Sequence, residues 1–106
     1  MSISDRYRDL VEEVGVMVKS FETDKATCES TRALRVLDQA LKTMAKMAED
    51  VGEIPRMKIE AELSPILLDA HNLLDRGRLL LEEQQLAAAH KVWEVQKKLY
   101  RLLNDL

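Results

Sequence analysis

This chain of 106 residues has one cysteine, two prolines and three glycines, and each scarcity excludes something. The lone Cys28 has no partner for an intramolecular disulfide, which removes the usual reason to place a small domain in an oxidising compartment. With so little glycine, the chain has no Gly-rich phosphate loop, no Gly-x-Ser-x-Gly elbow and no His-Glu-x-x-His pair. No apolar stretch reaches the roughly 18 residues that span a bilayer, and the opening MSISDRYRDL is too charged for a signal peptide. The expectation is a soluble, cytoplasmic protein that engages no membrane.

What is present points to helices. Hydrophobic residues make up 46% of the chain and charged residues 33%, a balance suited to a compact domain and unlike that of a disordered segment. A chain of this length hides roughly two-thirds of its unfolded surface, enough for one core, so residues 1–106 are expected to form one domain.

Four apolar stripes recur at helical spacing. The first runs Ile3, Tyr7, Leu10, Val14, Met17 and Phe21, with Ser2 or Ser4 as a cap. The second runs Leu34, Leu37, Leu41, Met44, Ala48 and Val51. It predicts a helix of about 27 residues ending at Gly52, in the left-handed position that follows a last turn. A third holds Ile66, Leu67, Ala70, Leu73, Leu74, Leu80 and Leu81, and a fourth holds Ala88, Val92, Val95, Leu99, Leu102 and Leu106.

Pro65 falls between two phases. Before it Ile54, Met57 and Ala61 share a face, and after it the third stripe lies roughly opposite. Ser64 suits an N-cap and Pro65 a first helical position, so the simplest reading starts a new helix at Pro65 and leaves a short one over 55–63; one kinked helix is the alternative. The turn before the last helix is predicted near Gln84 and Gln85, where polar residues interrupt the stripe, with a turn at Gly77 as the alternative. Gly77 lies on the apolar side, where a small residue permits close approach.

By quarter (1–24, 25–52, 53–85 and 86–106) the net charge runs −3, +1, −3 and +2. That alternation favours neighbouring helices attracting one another around a ring, although exposed pairs contribute at most about 1 kcal/mol each. The predicted fold is all-α: an antiparallel up-down-up-down four-helix bundle with an additional short helix before Pro65.

Catalytic chemistry finds little support. His71 and His90 lack the acid three residues earlier that di-iron bundles use, since those positions are Leu68 and Ala87. Cys28 has neither a Cys-x-x-Cys partner nor a nearby histidine. No catalytic residue, cofactor or metal is expected. Arg32, Arg35, Lys42 and Lys46 form a basic stripe on helix two that could follow a phosphate backbone, but net charge −3 and the interspersed Asp38, Glu49 and Asp50 weigh against nucleic acid.

The last helix has more apolar width than a bundle requires. Leu86, Trp93 and Tyr100 form a row beside its main stripe, and together the two cover about 200° of the helix. Leu68 and Leu79 point away from the stripe of helix three. Gln96, near the middle of the arc, needs a partner if buried: its mate in a dimer, a water or a backbone carbonyl. The expected function is therefore a non-enzymatic interaction module. It would self-associate as a homodimer, or bind a partner helix, through Leu86, Trp93, Gln96, Tyr100, Leu68 and Leu79. A nucleic-acid-binding accessory protein is the alternative.

Overall fold

A computed structural model describes residues 2–106. Four helices follow in order: α1 (Ile3–Thr23), α2 (Thr31–Ala48), α3 (Ile59–Glu83) and α4 (Ala88–Asn104). Each packs on its two neighbours in a ring, giving a body of 43 × 21 × 21 Å. Adjacent helices are antiparallel. Tyr7, early in α1, donates to the carbonyl of Met44, late in α2, at 2.7 Å; Ser30, just before α2, donates to Gln84, just after α3. Arg6 near the start of α1 meets Asp105 past the end of α4 at 2.8 Å. The chain is an all-α up-down-up-down bundle.

α1 forms where its stripe predicts, with Ser2 Oγ accepting from the amide of Asp5 as the cap. Tyr7, Leu10, Val14, Met17, Val18 and Phe21 are buried along it. Burial of the Tyr7 ring pushes its hydroxyl up to about 12, so it stays a neutral donor to Met44 at ordinary pH.

α2 is shorter than expected, with 18 residues. The residues before it are taken by a turn in which Asp24 accepts from Thr27 Oγ1 at 2.6 Å and from the amide of Cys28. Cys28 therefore lies in this turn and not at a helix start. At the other end Arg8 Nε donates to the carbonyl of Ala48 at 2.9 Å, satisfying a group that a longer helix would have used internally. A 3₁₀ turn over Val51–Glu53 then sinks Val51 into the core. Gly52 belongs to that turn, and no glycine among the described residues has positive φ, so its predicted left-handed role is corrected. Ile54 is extended, as a residue preceding proline prefers.

Pro65 does not begin a helix. α3 starts at Ile59, after a 3₁₀ turn over Arg56–Lys58, and runs through Pro65, so the separate helix over 55–63 is also corrected. Of the three residues that set the opposite phase, Met57 and Ala61 are exposed, Met57 at 97%, and Ile54, packed against the core, lies before α3 begins. Ile59 and Leu63 carry the stripe instead, in phase with Leu67, Ala70, Leu74, Gly77 and Leu81. Pro65 is on the exposed side of α3. There Pro65 offers no amide to the carbonyl of Ala61.

The turn into α4 lies at Gln84 and Gln85, as expected. Gln85 has φ 58°, and the amides of Gln85 and Leu86 bond back to the carbonyls of Glu82 and Leu81, at 2.9 and 3.1 Å. This is a Schellman ending with glutamine in glycine's customary place. Charge attraction between helices is realised as ion pairs only between the α1 and α4 segments among the described residues, through Lys98–Glu13 at 2.7 Å and Arg6–Asp105. Across the other seams apolar burial is joined by uncharged hydrogen-bond acceptors such as the Met44 carbonyl and Gln96 Oε1.

Candidate functional site

The outer seam between α3 and α4 collects most of the residues singled out by the sequence. Because the helices are antiparallel, successive turns face one another. The rings of His71 and Tyr100 lie 6.3 Å apart, Asp75 meets Gln96, and Arg78 meets Trp93.

The floor of this seam is a closed polar network. Arg78 Nε donates to Gln96 Oε1 at 2.9 Å, Nη1 to Glu82 Oε1 at 2.6 Å, and Nη2 to Asp75 Oδ1 at 2.7 Å. Gln96 Nε2 completes it by donating to Asp75 Oδ1 at 3.2 Å. A planar guanidinium suits this task, since one Arg side chain presents donors in three directions at fixed angles. The Arg78 carbon also lies 5.3 Å from the centre of the Trp93 ring, within cation–π range. Hydrogen bonding from Arg78, then from Gln96, holds the Asp75 carboxyl below its ordinary range, and Asp75 in turn raises Arg78.

Gln96 is thus 1% exposed and satisfied within its own chain. The partner it needs comes from α3 and not from a symmetry mate. Among the described residues no buried side-chain nitrogen or oxygen is left without a partner. The sequence carried the signal: Asp75, Arg78 and Glu82 are spaced three and four apart, hence on one face of α3.

Large apolar residues stay open on both helices, Leu68 and Leu79 on α3 and Trp93 and Tyr100 on α4. Leu68 is 51% exposed, Leu79 47%, Trp93 44% and Tyr100 56%. Leu86 is half-buried and packed against the core beside Trp93. Lys97 is 6.0 Å from the Trp93 ring centre and bonded to Glu94 at 3.1 Å. The seam combines a rigid base with a broad, amphipathic top.

Elsewhere the candidates stay dispersed. Arg32, Arg35, Lys42 and Lys46 are all exposed on α2; Lys42 pairs with Asp38 at 3.0 Å, and the other three have no carboxylate partner among the described residues. His90 is exposed beside Glu94, and Cys28 Sγ points to the carbonyl of Lys25 at 3.6 Å. No group of three His, Cys, Asp or Glu side chains suited to a metal ion occurs among the described residues, and no helix there is long and apolar enough to cross a membrane.

The chain matches no protein-family model, no curated protein and no solved structure.

Proposed function

We propose that the protein is a non-enzymatic interaction module that presents the α3–α4 seam to another protein surface, a second copy or a partner's helix. One observation carries this: Leu68, Leu79, Trp93 and Tyr100, each about half exposed, lie on two adjacent helices. Aromatic side chains contribute most when covered, burying about 150–250 Å² each. The network beneath holds Trp93 and Gln96 in place before any partner arrives, which lowers the ordering cost of binding. The module belongs in the cytoplasm, where its single Cys28 stays reduced.

The test is association measured by sedimentation equilibrium and by crosslinking in cell extract. Trp93→Glu combined with Tyr100→Glu should remove association, whereas Val16→Glu, an exposed apolar site on α1, should leave it intact. Association that persists in the folded double variant, or a protein that associates with nothing, refutes the proposal.

A second reading draws on the unpaired Arg32, Arg35 and Lys46: an accessory protein that follows a phosphate backbone along α2. Filter binding to DNA and RNA at low salt should then be salt-sensitive and weakened by Arg35→Glu with Lys42→Glu. No binding at micromolar protein would end it.

A further inference from the structure

We infer that the occupant of the α3–α4 seam is an acidic amphipathic helix, with apolar side chains on one face and carboxylates flanking them. The inference rests on the docking role proposed above and names the chemistry of the partner.

The groove between His71 and the outer edge of α4 has a volume of about 510 Å³. Its lining holds His71, Lys97 and Arg101, together with two aromatic rings and two amide side chains, and no carboxylate. This is a local inversion in a chain of net charge −3. Acids at neighbouring positions are engaged, Asp75 by Arg78 and Gln96, Asp105 by Arg6, and Glu94 by Lys97, which is itself paired in that contact. Arg101 forms no ion pair among the described residues and lines both this groove and the depression on the α1 side that holds Asp9 and Glu13.

Shape points to a helix. Trp93 and Tyr100 are seven residues apart on α4, about 10 Å along its axis, which is the interval between positions i and i+7 of a helix laid alongside. A third helix laid along α4 in this groove would cover both rings. A second copy fits less well. A two-fold axis through the groove would bring each copy's Lys97 and Arg101 towards those of its mate, and facing like charges are costly.

The test uses a displayed library of helical peptides of about four turns. Leucines are fixed at an i, i+3, i+4, i+7 stripe and all other positions are randomised. Selection against the wild-type protein should retain peptides rich in Asp and Glu. Their affinity should fall about tenfold with Lys97→Glu plus Arg101→Glu and vanish with Trp93→Glu, each variant being checked for helical content. Retained peptides that are neutral or basic, or indifferent to the charge reversal, overturn the acidic occupant. The docking role would survive that result if Trp93→Glu still abolished binding. No retained peptide together with a dimer that Trp93→Glu dissolves makes the occupant a second copy. No retained peptide with a monomer at all concentrations overturns both.

Discussion

Gly77 of α3 and Leu37 of α2 pack so closely that a Cβ on Gly77 would stand 2.5 Å from Leu37 Cδ2 and 2.8 Å from its Cγ. Leu37 is fully buried. Gly77 is therefore a packing glycine in the middle of a helix. Alanine there would ordinarily stabilise by about 1 kcal/mol. Here Gly77→Ala should destabilise by about 1–3 kcal/mol in urea unfolding, because overpacking outweighs propensity. In a double-mutant cycle with Leu37→Ala, the combined cost should be less than the sum of the two.

Gln85 presents the reverse case. It occupies a left-handed conformation, φ 58°, that costs a residue with a side chain about 1–2 kcal/mol relative to glycine. Gln85→Gly should raise stability by about 0.5–1 kcal/mol and leave the Schellman bonds to Leu81 and Glu82 in place. A fall in the urea midpoint would show that the Gln85 side chain contributes more than its backbone costs.

Gln96 and Arg78 act together. Gln96→Leu keeps the volume and leaves Arg78 Nε without its acceptor, so it should cost about 1–3 kcal/mol. Arg78→Lys should cost a similar amount, since an ammonium cannot reach Gln96, Asp75 and Glu82 in one geometry. Loss of restraint on Trp93 should appear as a lower fluorescence anisotropy of this single tryptophan.

Asp75 makes stability depend on acid. Its folded carboxyl titrates below the ordinary value because Arg78 and Gln96 bond to the ionised form. The stabilisation is thus fully present above the unfolded value, about 4, and disappears as the pH falls through the lower folded value. Asp75→Asn should be less stable than wild type at pH 7 and lose less between pH 5 and about 2. Parallel acid profiles for the two proteins would remove Asp75 as the source.

Pro65 sits on the exposed side of α3 and withholds the amide that the carbonyl of Ala61 would accept. Pro65→Ala restores that bond at a site without packing demands, and should stabilise by about 1–2 kcal/mol after allowing for the greater freedom of the unfolded chain. No gain in urea unfolding would mean that the helix has fully accommodated the proline.

The sequence by itself determined the four main helices, their buried stripes on α1, α2 and α4, and the turn at Gln84 and Gln85. These follow from short-range rules of periodicity and breakers. It also contained the excess width of α4, because Trp93 and Tyr100 lie beside a complete row of core residues. Long-range contacts decided the rest. α2 ends at Ala48 because Arg8, forty residues earlier, claims its carbonyl, and α3 passes through Pro65 because Ile59 and Leu63 find a core to enter. The partner of Gln96 depended on which face of α3 would lie opposite it. That is set by how four stripes close into a ring, a property that no single segment encodes.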